Sequence, residues 1–272
     1  MSFELSKSDL DYQIAILPQK SLKLHEAVVD DHVMELLDAI DRQGMIRDPV
    51  IVDRETDVVL DGMHRVTAIR RLGLRGVPVC QVDYRATAIE IGGWLRVFDD
   101  GAVENIKSAI RSHGIRCNTA ESITREWPSL PLLLGPDTSI ELDREGEAPK
   151  RVLDRTMTVV DALSANGIDS RLQPDNTLDR IDTEVTLVLP APDKSAVVTA
   201  AEKGDPFPPN TTRHVIPTRP VAVNSPLELL DINPEDGTRR LDRRLQDRSI
   251  DRLPPGSEYA GRTYEEALLV FD

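Results

Sequence analysis

The 272-residue chain carries 47 acidic against 33 basic side chains, a formal charge of −14. That balance argues against a general nucleic-acid binder, because a phosphate backbone demands a net basic surface, and no stretch approaches the ~20 apolar residues of a membrane-spanning helix. Aspartate and arginine are common and lysine scarce, a composition that suits a halophilic cytoplasm, where carboxylate-rich surfaces keep proteins dissolved, as well as an ordinary acidic protein. The amino end, MSFELSKSDLD, shows no apolar signal-peptide core, so a cytoplasmic protein without a membrane partner is expected. Residues 14–24 (IAILPQKSLKL) read as strand-like segments broken by Pro18, followed by His25-Glu26. A helix opens near Asp30, with Val33, Leu36, Leu37 and Ile40 on one face and Gly44 placed for a left-handed cap. Pro49 to Val52 and Val58 to Leu60 form a hairpin around the turn Arg54-Glu55-Thr56-Asp57. A second helix carries Val66, Ala68, Ile69 and Leu72 up to Gly73, and Val77 to Val82 closes a β–α–β–β–α–β unit with Cys80 in its core.

Beyond residue 84 the pattern weakens. Ile89 to Phe98 reads as a strand with a Gly-Gly break before Trp94, and Val103 to His113 as a helix. Residues 127–140 read as apolar and irregular, and 137–151 as a charged loop. A helix over Val152 to Ala165, a strand over Thr183 to Leu189 and a helix over Asp193 to Lys203 follow. A proline-rich turn then leads into Thr211-Thr212-Arg213-His214, and the alternating charges from Arg239 to Arg252 read as a solvated helix. The expected class is α/β (α+β), with a mixed-sheet domain over 1–84 and a second α/β domain over 85–272, the active cleft lying between them. Only Cys80 and Cys117 are available as thiols, which supports neither a disulfide scaffold nor a zinc site.

The stretch Leu60-Asp61-Gly62-Met63-His64-Arg65 organises this reading. A strand that turns through Asp-Gly into a helix leaves the first amides of that helix without partners, and the positive end of its dipole suits a phosphate. Gly62 permits close approach of an anion, His64 and Arg65 add donors, and Asp61 stands where a carboxylate would hold a phosphate-bridging metal. The plain alternative is a capped helix start with a solvated arginine. Glu26 is placed to accept the proton of an attacking hydroxyl if the sheet brings it to the Asp61 loop; otherwise it is a solvated carboxylate. Trp94 suits a ligand wall or the core. Thr211, Thr212, Arg213 and His214 concentrate hydroxyl, guanidinium and imidazole donors that suit a substrate carboxylate, or else begin an exposed polar strand.

The LHE segment, the DPVIVD strand, the LDGMHR loop and the VPV strand resemble the ParB/sulfiredoxin-type domain. More closely, with PFPPNTTRHVIPTRP as a second signature, they resemble the free L-serine kinases of archaea and related bacterial enzymes. That resemblance implies transfer of a phosphoryl group from ADP or ATP, with Mg²⁺, to free L-serine, giving the O-phospho-L-serine that feeds serine and cysteine metabolism. It implies Glu26 as catalytic base, Asp61 as the catalytic and metal-holding carboxylate, and Gly62, Met63, His64 and Arg65 as the phosphate cradle. Trp94, Thr211, Thr212, Arg213 and His214 would bind serine. The family loop commonly reads Asp-Gly-His-His-Arg, so Met63 replaces its first histidine. Met63 also removes the thiolate that sulfiredoxin chemistry needs. The alternatives are a ParB-like nucleotide-binding regulatory or DNA-partition protein without kinase activity, and a kinase of another small hydroxylated amine or amino acid. Donor, exact substrate and oligomeric state are left open.

Overall fold

The structure is a computed structural model describing residues 3–7, 10–99, 103–120, 127–135, 138–143, 146–180 and 184–272. It divides into two compact units. The first comprises 1–90, 198–206 and 214–272, and the second 91–197 with 207–213.

Unit one is built on strands β1 (Phe3–Lys7), β2 (Leu10–Pro18) and β3 (Lys23–Leu24), helix α1 (Asp30–Gln43), and strands β4 (Met45–Ile46), β5 (Val50–Asp53) and β6 (Val58–Asp61). Helix α2 (Met63–Arg71) and strand β7 (Gly76–Val82) complete its first half. The sheet order is β1-β2-β7-β5-β6-β3. It is mixed: β5 runs parallel to β7 and β3 parallel to β6, and the other pairs are antiparallel. The expected β–α–β–β–α–β unit is therefore present. Its hydrophobic periodicities do what they promise, because Val33 and Ile40 of α1, Val66 and Ile69 of α2, and Val50, Val52, Val59, Val77 and Val79 share one core. Gly44 closes α1 at φ 65°, its N–H reaching Ile40 O at 2.8 Å. Asp57, at φ 58°, makes the hairpin turn, and Asp53 Oδ2 receives the N–H of Thr56 at 3.1 Å.

The carboxyl-terminal segment returns to this unit, so the division differs from the expected 1–84 and 85–272. Its helix Pro234–Gln246 buries Gly237, Leu241 and Leu245, and Leu241 and Leu245 join the core of the first sheet. Thr238 Oγ1 accepts the N–H of Ile16 in β2 at 2.8 Å. The charged run from Arg239 is thus a half-buried amphipathic helix followed by the strand Ile250–Leu253; alternating charges mark its outer face and hide the leucines spaced four apart. Strand Thr218–Val221 lies parallel to Ala267–Phe271, which pairs antiparallel with Ile250–Leu253.

Unit two holds strands in the order Ser170–Pro174, Glu90–Phe98, Val185–Val188, Leu132–Gly135, Thr138–Asp143, Arg116–Thr119, all antiparallel. Helices Val103–Ser112 and Pro149–Ser164 belong to it. Two expectations are corrected here. The stretch read as irregular or as loop forms strands Leu132–Gly135 and Thr138–Asp143, because the leucine run pairs with Val185–Val188. The Gly92-Gly93 pair does not break its strand; Gly93 N–H donates to Asp175 Oδ2 at 3.0 Å, and a Cβ at Gly92 would stand 2.9 Å from Asp175 Oδ1. The start of the expected strand at Thr183 lies outside the described residues, as do 136, 137, 144 and 145. No described helix is long and apolar enough to cross a membrane.

Candidate active site

Parallel pairing of β3 with β6 sets the geometry of unit one's site. The last pair is Leu24↔Val59, so two residues further along each chain Glu26 and Asp61 leave the sheet at the same end. His25 locks this arrangement. It is fully buried, and its Nδ1 lies 2.7 Å from Val59 O. A carbonyl only accepts, so Nδ1 carries the proton and Nε2 keeps its lone pair. Nε2 stands 3.9 Å from Oε1 of the buried Glu26. Burial pulls the His25 pKa down to about 4, with the Val59 bond opposing it. The ring of His214 meets that of His25 edge-on, centroids 5.1 Å apart, and Tyr84 Oη shares a 2.7 Å hydrogen bond with His214 Nε2.

Helix α2 begins immediately after Gly62, at φ 97°, and no side chain caps it. Its first internal bond runs from Val66 N–H to Gly62 O at 3.0 Å, so the amides of Met63, His64 and Arg65 precede the helical ladder. His64 Nε2 accepts the N–H of Val29 at 3.0 Å, which leaves Nδ1–H as the donor His64 can offer an anion. Burial and the nearby His32, whose ring is 5.5 Å away, lower the His64 pKa. Met63 packs half-buried against the sheet core, as a thioether does and an imidazole would not.

Asp61 is gripped by two guanidiniums. Arg219 Nη1 donates to its Oδ2 at 2.8 Å, and Arg65 Nη2 donates to the same oxygen. Arg65 Nη1 is meanwhile anchored on the carbonyls of Asp48 and Pro49, at 2.9 and 2.7 Å. Burial alone would raise the Asp61 pKa, but Arg219 and then Arg65 outweigh it and hold the carboxyl well below the usual range. Arg219 is itself fixed by Glu266, Nε to Oε1 at 2.5 Å. Sequence reasoning missed Arg219 and Glu266; the available signal was a lone arginine between Thr218 and Pro220 in an otherwise buried strand.

Among the described residues no three His, Cys, Asp or Glu side chains gather to hold a metal by themselves. A magnesium ion bound through phosphates needs only one or two carboxylates, and Asp61 Oδ1, with no hydrogen-bond partner among the described residues, fits that donor set.

In unit two, Trp94 Nε1 donates to Thr212 O at 3.1 Å, and the Arg213 guanidinium lies 5.9 Å from the Trp94 ring centroid. Thr211 is fully buried and donates its hydroxyl proton to Pro208 O at 2.8 Å. The buried Arg96 donates to Pro209 O at 3.0 Å, stiffening the proline-rich turn. Trp94, Thr211, Thr212 and Arg213 thus form one cluster, while His214 belongs to unit one. The Thr211–Thr212 pair is buried, which removes the reading of an exposed strand start.

The α+β fold, with this mixed sheet and strand-to-helix loop, is similar to that of solved free serine kinases. No family model matches the chain. It is 27% identical over 208 residues to a ParB-like protein of Sulfolobus acidocaldarius, covering 75% of this chain and 92% of the relative. It is 23% identical over 224 residues to an ATP-dependent L-serine kinase of Staphylothermus marinus, covering 76% of this chain and 86% of the relative. The solved structure of a glutamate-to-alanine variant of a free serine kinase, in complex with ADP, superposes with a TM-score of 0.69 at 20% identity over 83% of this chain and 95% of that one. The chain shares that fold, and the resemblance read from its motifs is borne out.

Proposed function

We propose that the protein is a kinase that transfers a phosphoryl group from ADP or ATP to the hydroxyl of free L-serine, yielding O-phospho-L-serine in the cytoplasm. One observation supports the reading: a buried glutamate and an aspartate-glycine helix start each follow, by two residues, the last pair of two parallel strands. Phosphoryl transfer asks a protein for held phosphates, charge neutralisation and a base near the nucleophile.

The amides that open α2, with His64 Nδ1–H, take the phosphates. Asp61 Oδ1 would hold Mg²⁺, which neutralises phosphate charge when bound. Glu26 accepts the serine hydroxyl proton. Within unit two, the Trp94, Thr211, Thr212 and Arg213 cluster offers a guanidinium that suits an amino-acid carboxylate.

The test is to incubate the protein with Mg²⁺, L-serine and either ADP or ATP and to follow O-phosphoserine by mass spectrometry. Nucleotide-dependent phosphoserine supports the reading. Nucleotide bound without any product supports a ParB-like binding module instead, for which DNA retention at moderate salt is the second check; the charge of −14 opposes such retention.

A further inference from the structure

We propose that Arg219 is a positioning residue for Asp61, with Glu266 as its counter-anchor, so that the loop carboxylate is held by one oxygen and presents the other. The inference rests on the reading of the Asp61–Arg65 loop as a nucleotide phosphate site and adds a member to it.

Three features support it. The two guanidiniums that converge on Asp61 Oδ2 are anchored independently, Arg65 by two backbone carbonyls and Arg219 by Glu266. With both arms on Oδ2, rotation of the carboxylate breaks two charge-assisted bonds at once, and Oδ1 keeps no hydrogen-bond partner among the described residues. The arms also stand on rigid backbone. Arg219 lies in the strand Thr218–Val221 and Glu266 immediately precedes the parallel strand Ala267–Phe271, the two in register at Thr218↔Ala267, and their side chains are only 14% and 15% exposed. Finally, the Arg219 guanidinium is divided between two carboxylates, Nε on Glu266 and Nη1 on Asp61, so its effect passes through Asp61. A lysine cannot replace it, because a single ammonium on a flexible stem lacks the planar fork that spans two carboxylates.

A double-mutant cycle tests this. ADP binding is measured by calorimetry, with and without Mg²⁺, on wild type, Arg219→Met, Asp61→Asn and the double variant, with thermal unfolding of each. The expected result is a roughly ten-fold weaker affinity for ADP with Mg²⁺ in Arg219→Met, but a change under about two-fold when Asp61 is already Asn. Metal-free ADP binding should stay within about two-fold. Arg219→Lys should behave like Arg219→Met, and serves in the same cycle if the methionine variant does not fold. An equal loss in both Asp61 backgrounds overturns the proposal, since it would mean a direct phosphate contact or a general structural role. Wild type that binds ADP yet makes no phosphoserine counts against the kinase reading alone; wild type that binds no ADP overturns both.

Discussion

His25 donates its Nδ1 proton to the carbonyl of Val59 across 2.7 Å and turns Nε2 toward Glu26 Oε1 at 3.9 Å. One buried ring therefore fixes the strand end that carries Glu26 to the strand that runs into Asp61. The arrangement needs a neutral imidazole, and burial supplies it by holding the pKa near 4 against an ordinary 6.5.

That depression makes stability pH-dependent, with a definite sign. Well above pH 6.5 neither folded nor unfolded His25 is protonated, so there the residue contributes nothing to the pH slope. As pH falls, the unfolded chain binds a proton that the folded chain refuses, and stability is lost until the folded pKa near 4 is reached. The total is on the order of 3 kcal/mol. Urea unfolding at steps between pH 7 and pH 4 should show this decline, superposed on the carboxylate background. His25→Gln should flatten the difference between those limits. An unchanged slope in that variant would mean that His25 titrates normally.

In the proposed mechanism Glu26→Gln removes the base and keeps the shape of the side chain. Turnover should fall by about 10²-fold or more, while nucleotide affinity stays near that of wild type, since the proposal gives the phosphates to the α2 amides and not to Glu26. Steady-state kinetics for serine with calorimetry for the nucleotide separate the two effects. Turnover like that of wild type would take Glu26 out of the mechanism.

What the sequence disclosed and what it hid follow from the range of the interactions. The Val33–Ile40 stripe, the Asp57 turn and the helix start at Gly62 are local, since a side-chain period or a turn residue reports its own burial or φ. The strand-to-helix loop was legible for that reason, whereas the place of Glu26 relative to it depends on the pairing of β3 with β6. Arg219 was not: its partner Asp61 lies 158 positions away, and only tertiary register brings them together. Gly92 and Gly93 misled for the same reason. They read as a local break, whereas they make room for the carboxylate of Asp175. The return of helix Pro234–Gln246 to β2 is likewise invisible in a charged run that shows only two buried leucines, Leu241 and Leu245.

Gly62→Ala should damage the loop from two directions. At φ 97° an L-residue is strained, by roughly 1–3 kcal/mol. The new Cβ would also stand 2.9 Å from Nε and Nη2 of Arg65, pushing the guanidinium off Asp61. Thermal unfolding should register the strain, and ADP affinity should drop by an order of magnitude or more because the anion approaches the backbone less closely. Retained ADP affinity in a folded variant would move the phosphate site away from this turn.

Met63→His restores the histidine that the resembling kinases commonly carry, and the structure sets a definite expectation for it. Met63 is packed against the sheet core, so an imidazole there buries polar nitrogens and should cost about 1–2 kcal/mol of stability. The donor that position 63 offers a phosphate is its backbone N–H, one of the amides ahead of the first helical bond at Val66, and the substitution leaves it in place. ADP affinity should therefore change by less than about two-fold while the unfolding midpoint falls. A gain of about ten-fold in affinity would instead assign the phosphate contact to the side chain, and would mean that methionine weakens this loop.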